Sequence, residues 1–176
     1  INLKTGKYGP MGPVRFDCFR IAKDRQRLAE KVKALCSGDD KGSKYFWELT
    51  ARTLIYSANR IPEISDDIVN IDNAMKWGFA WDAGPFEGWD ALGVRKTTER
   101  MKAEGKIVPD WVLEMLESGR EKFYSMENGE KDYWCPNSKS PVKIEQNPKE
   151  FNLALHKTAG KTLKRDLSAS VNDLGE

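Results

Sequence analysis

Few residues of this chain have both the type and the company needed for chemistry. Its single histidine, His156, lies in a basic stretch without clustered cysteines or carboxylates, so it is expected to be exposed and inert. Asp66, Asp67 and Asp72 are numerous enough for paired acid–base work. Their position near the start of an amphipathic helix, on its polar side, explains them through the helix dipole instead. Lys157, Lys161, Lys164 and Arg165 carry charge for phosphate or RNA but lack interleaved aromatics, and read as a solvated surface. Gly6, Gly9 and Gly12 do not have the spacing of a dinucleotide-binding turn, and neither a P-loop nor a nucleophile elbow occurs. No catalytic, cofactor-binding or metal-ligating residue is therefore assigned.

The most distinctive passage is aromatic. Trp77, Phe79, Trp81, Phe86 and Trp89 fall between residues 77 and 93, punctuated by Gly84-Pro85, Asp90 and Gly93. Rings at this density fill a junction between short helices. Six tryptophans exceed what so small a helical unit hides, so part of the passage is expected to be covered by another domain.

The elements that would hold this passage are helical. Residues 1–20 read as a loop, and Ile21, Leu28, Val32 and Leu35 mark one N-terminal helix over 21–36. Trp47, Ala51, Leu54, Ala58 and Ile61 recur at spacings of three and four; Ser43 is the expected N-cap and Pro62 the stop. A helix from about Glu63 carries Ile64, Ile68, Ile71 and Met75, with Gly78 as its C-terminal glycine. Pro85 at a first helical position suits a short helix ended by Gly93, with Phe86, Trp89 and Leu92 on one face. Two more follow, over 94–104 with Val94, Thr98 and Met101 inward, and from Pro109 or Asp110 to Gly119. Phe123-Tyr124, the turn pair Asn128-Gly129, Tyr133-Trp134 and Val142–Ile144 predict a weak β meander. The tail from Asn147 is basic and poor in core residues. The expectation is an all-α bundle of about five helices over 43–120, with an N-terminal linker and basic helix over 1–42 and an irregular, weakly β arm over 121–176.

Composition narrows the class further. The 176 residues are 39% hydrophobic and 32% charged, a globular balance without a membrane-length apolar run. Cys18, Cys36 and Cys135 form no pairing or metal spacing, which suits reduced thiols and a cytoplasmic location. Residues 1–44 carry 11 Lys/Arg against 5 Asp/Glu, whereas residues 45–138 carry 11 against 17. An acidic middle between basic arms disfavours nucleic acid as a partner. The chain opens on Ile1 and closes on Gly175-Glu176, which reads as a piece of something longer.

The stretch Ile71-Asp72-Asn73-Ala74-Met75-Lys76-Trp77-Gly78-Phe79, then Gly84-Pro85-Phe86-Glu87 and Trp89-Asp90-Ala91-Leu92-Gly93, resembles the C-terminal helical domain of 3-hydroxyacyl-CoA dehydrogenases. The likeness covers about 43–119 and departs at Gly88, where that family has a bulky apolar residue, so looser packing is expected there. Residues 165–176 resemble the lead-in to a crotonase-like enoyl-CoA hydratase domain.

The resemblance implies the second helical repeat of a fused dehydrogenase–hydratase of fatty-acid β-oxidation. The parent enzyme would oxidise 3-hydroxyacyl-CoA with NAD. Its NAD-binding domain and first helical repeat would lie upstream, and the hydratase downstream. The family's histidine base and its glutamate belong to the nucleotide domain, and its helical-domain asparagine would fall near Gly42–Ser43, where none stands. Asn59-Arg60 has the family's residue types one element too late. The implied role is non-catalytic packing with dimer-like contacts, without NAD in this segment. The alternative is a stand-alone acyl-CoA-binding module around Trp77, Trp81 and Trp89.

Overall fold

The computed structural model describes residues 1–10, 15–127, 130–145, 156, 162–165 and 170–172. Among these residues it is mostly helical: α1 (Asp17–Lys23), α2 (Leu28–Ser37), α3 (Lys41–Asn59), α4 (Ile68–Phe79), α5 (Pro85–Leu92), α6 (Val94–Ala103) and α7 (Asp110–Glu117). An antiparallel sheet follows, β1 (Tyr124–Glu127), β2 (Glu130–Cys135) and β3 (Ser140–Lys143), in that order. A separate antiparallel pair joins β4 (Thr162–Arg165) to β5 (Ser170–Asn172). The mostly helical class expected from the sequence is what forms. No described helix is long and apolar enough to cross a membrane.

Residues form two compact units, Ile1–Glu48 and Leu49–Glu176, with the boundary inside α3. In the first, the single helix expected over 21–36 is two, α1 and α2, separated by the polar run Asp24–Arg27. The seven-residue gap between Ile21 and Leu28 fits one helix or two, which is why periodicity alone joined them. Asp40, not Ser43, opens α3. Its carboxylate accepts from Ser43 N at 2.9 Å and from Cys18 N at 3.1 Å, and the Ser43 bond leads the effects that hold its pKa below the ordinary value. Ser43 itself is buried in the first turn. Phe16, Phe19 and Phe46 pack ring against ring over this junction.

In the second unit, Ala51, Leu54 and Ala58 give α3 a buried stripe. α3 ends at Asn59, two residues before Ile61. α4 begins at Ile68 rather than near Glu63, because Asp67 is its N-cap, accepting from Asn70 N at 2.7 Å. α4 also runs through Gly78; its cap is Ala80 at φ 54°, so Gly78 is not the stop. α5 starts and stops as expected, Pro85 at its first position and Gly93 beyond its end at φ 94°. Val94, Thr98 and Met101 are buried on α6, and Val112, Met115 and Leu116 on α7. The meander forms over the expected residues, although Asn128-Gly129 lie outside the described ones. The expected irregular tail contains the β4–β5 pair.

Candidate functional site

The aromatic passage divides where α4 hands over to α5. Phe86 and Trp89 are fully buried and meet Phe123 at ring-centroid distances of 5.1 and 5.3 Å, and Trp111 meets Phe123 at 5.7 Å. Phe123, just before β1, is thus the common neighbour of three rings from two helices, α5 and α7. Trp89 donates its indole N–H to Thr97 Oγ1 at 2.7 Å, which satisfies the one polar atom its burial would strand. Trp77, Phe79 and Trp81 take the opposite course and stand 81%, 71% and 42% exposed. The three tryptophans Trp77, Trp81 and Trp89 therefore do not form one ligand wall, because Trp89 belongs to the core.

Beneath the bend lies a knot of carboxylates. Asp72, on α4, is 1% exposed, so it is not on the polar side of its helix as expected. Its position four residues after Ile68 places it in the buried stripe, a signal already present in the sequence. Asp72 accepts from Phe86 N at 2.8 Å, Glu87 N at 3.0 Å and Tyr124 Oη at 2.9 Å. It thereby caps α5 from another helix, because Gly84 at the N-cap has no side chain to do so. A Cβ at Gly84 would collide with Asp72, and this closeness is what the glycine permits. Glu87 reaches back to Gly84 N at 3.0 Å and takes Lys76 Nζ at 2.9 Å. Lys131 adds a second cation beside it and lies 4.4 Å over the Tyr124 ring.

Asp90, at the other end of α5, accepts from Phe123 N at 2.7 Å and Tyr124 N at 2.9 Å, tying β1 to the helices. Burial outweighs these donors and pushes the carboxyls of Asp72 and Asp90 up to about 6. Burial also raises the Tyr124 phenol, and Asp72 beside it adds to the rise. Burial acts the same way on Glu87, but the Lys76 bond and the Gly84 N–H together leave its pKa below the ordinary value.

Such shifts are common at catalytic carboxylates. Here each acid is instead engaged by backbone or tyrosine donors that fix secondary structure. Asp66 is exposed, Asp67 is the α4 cap, and Asp72 is the α5 cap, so the three do not come together. His156 is half-buried rather than exposed. Lys157 and Lys161 lie outside the described residues, and no group of three potential metal ligands occurs among the described ones. At Gly88 an added Cβ would meet nothing within 4 Å, in line with the looser packing expected there. Sequence reasoning singled out Asp90 without its role, and it missed Tyr124 and the hub position of Phe123.

A 3-hydroxyacyl-CoA dehydrogenase of Bacillus subtilis (strain 168) is 40% identical to the chain over 173 residues, 98% of the chain and 22% of that protein. Fatty acid oxidation complex trifunctional enzymes are similar over shorter stretches. That of Rickettsia felis (strain ATCC VR-1525 / URRWXCal2) is 35% identical over 66 residues, 33% of the chain and 9% of that protein. That of Rickettsia prowazekii (strain Madrid E) is 36% identical over 69 residues, 35% of the chain and 10% of that protein. No family model matches the chain, and no solved structure does. The chain spans about a fifth of the length of the Bacillus relative. The similarity over nearly every residue makes the chain a homologue of one segment of that Bacillus protein.

Proposed function

We propose that this chain acts as a non-catalytic helical part of a longer NAD-dependent 3-hydroxyacyl-CoA dehydrogenase. The parent would convert 3-hydroxyacyl-CoA and NAD to 3-oxoacyl-CoA in the cytoplasm, within a fatty-acid oxidation enzyme that also carries a hydratase. Residues 43–120 would form its second helical repeat, and 121–176 the arm towards the hydratase. Its partners would be the neighbouring NAD-binding, helical and hydratase domains.

The observation that carries this reading is the split of the aromatic passage: Phe86 and Trp89 build the core, while Trp77, Phe79 and Trp81 are left outside it. Large rings exposed together at the end of one helix suit burial by neighbouring protein. The residues present do not fit the nicotinamide cofactor. The three-stranded sheet is antiparallel, with no glycine-rich strand-to-helix turn among the described residues. The N-termini of α3, α4 and α5, where a pyrophosphate would sit, are each closed by an aspartate: Asp40, Asp67 and Asp72.

The test mixes the purified chain with NAD and 3-hydroxybutyryl-CoA and follows NADH absorbance. No NADH is expected, and turnover by the chain alone would end the proposal. In a second arm, the remaining polypeptide of a longer relative is titrated with the chain. The W77S/F79S pair should weaken association by roughly tenfold or more.

A further inference from the structure

The closed end of the α1–α2 hairpin takes part in none of the contacts above. The two helices pack against each other and are joined by Asp24–Arg27, so the last turn of α1 and the first turn of α2 lie side by side there. The buried side chains of the pair are Cys18, Ala22 and Cys36. Ile21 and Leu28, at the closed end, stay on the rim and are 37% and 39% exposed.

Charge surrounds these two aliphatic side chains. Residues 20–33 carry Arg20, Lys23, Arg25, Arg27, Lys31 and Lys33, all exposed, against Asp24 and Glu30. Among the described residues only Arg20 of the six is held in an ion pair, with Asp17 at 3.4 Å. A cluster of like charge spaced within one Debye length sums its field, and the partner that complements it is a surface of negative charge. Nucleic acid and an anionic bilayer both present one. Single-stranded nucleic acid would stack its bases on free rings. Here the phenylalanines of the unit, Phe16, Phe19 and Phe46, are engaged with one another, and the apolar groups among the cations are aliphatic. Aliphatic side chains ringed by Lys and Arg suit the boundary between headgroups and acyl chains.

We propose that the closed end of the α1–α2 hairpin binds the surface of an anionic phospholipid bilayer, with its cations against the headgroups and Ile21 and Leu28 in the acyl boundary. The attachment is to one surface only, since helices of seven and ten residues are far too short to span. Each cation near such a surface raises partitioning by about fivefold, which Asp24 and Glu30 offset in part. The site is separate from the Trp77 corner and asks for no reaction.

Vesicle flotation of the full chain tests it. Vesicles of phosphatidylcholine with about 30% phosphatidylglycerol, at about 0.1 M NaCl, should carry at least tenfold more chain than phosphatidylcholine alone, and about 0.5 M NaCl should release it. The triple variant R25E/R27E/K31E should lose tenfold or more of this binding, and the milder R25Q/R27Q should fall between it and the wild type. I21S/L28S should weaken binding by about fivefold or more through lost apolar contact. Unchanged unfolding midpoints, followed by circular dichroism, show that the variants fold. W77S/F79S should float like the wild type. Equal flotation with phosphatidylcholine alone would overturn the assignment, as would no flotation, or flotation that survives R25E/R27E/K31E. Wild-type flotation of I21S/L28S together with tighter binding to poly(U) RNA would make the hairpin a polyanion site and equally overturn it. Loss of flotation in W77S/F79S would move the contact to the aromatic corner. None of these readouts involves NADH or association with a neighbouring domain, so the proposal can fail while the packing role stands.

Discussion

Asp72 joins three elements through one carboxylate, taking α5 by two backbone N–H groups and β1 by the Tyr124 hydroxyl. Replacing it with alanine leaves these donors buried without an acceptor. D72A should cost about 3 kcal/mol or more, read as a lowered urea midpoint. The acidity of the knot has a sign that urea titration can follow. Asp72 and Asp90 titrate at about 6 in the folded chain, above their ordinary 3.8, so the folded state binds these protons more tightly than the unfolded one. Their stabilising contribution is complete below about pH 4 and disappears as pH rises through 6. Stability is expected to be higher at pH 5 than at pH 7, by about 1 kcal/mol for each group. D72N should flatten roughly half of that difference; an unchanged pH profile in the variant would assign the effect to other groups. The fourfold spacing from Ile68 made the burial of Asp72 readable in the sequence. Its partners were not, because they lie 14, 15 and 52 residues away.

At the scale of elements, the ends of α5 were legible because proline and glycine act through local backbone geometry. The start of α4 was not, because Ser65, Asp66 and Asp67 in a row are all capping residue types and only the fold shows that Asp67 is the one bonded to Asn70 N. Tertiary contact likewise decides that Asp40 opens α3, since its carboxylate also takes the backbone N–H of Cys18, 22 residues earlier. The close approach of α4 and α5 makes Gly84 a sharp probe. G84A should destabilise by about 1–3 kcal/mol, since its Cβ meets the Asp72 backbone and not the end of a flexible side chain. Differential scanning calorimetry checks it, with G88A as the control. Gly88 has open space at its Cβ, so alanine there should be neutral or stabilising by up to about 1 kcal/mol. The aromatic passage yields a paired contrast. W89A should cost about 3–5 kcal/mol, whereas W77S should stay within about 0.5 kcal/mol in the isolated chain.

At the scale of the molecule, the sequence resemblance located the helical core and its motif, and residue types alone announced the aromatic bend. They did not announce which rings would be buried. Burial depends on Phe123, which enters from the β side and meets Phe86, Trp89 and Trp111 at once. That insertion also governs how the polypeptide can be divided. A chain cut after residue 120 would retain α1 to α7, yet it would lose the ring that joins α5 to α7 and both donors to Asp90, which are the backbone N–H groups of 123 and 124. The helices are therefore not a separable bundle with a meander attached. The meander supplies their keystone, and any shuffling of segments between such enzymes must carry the two across together.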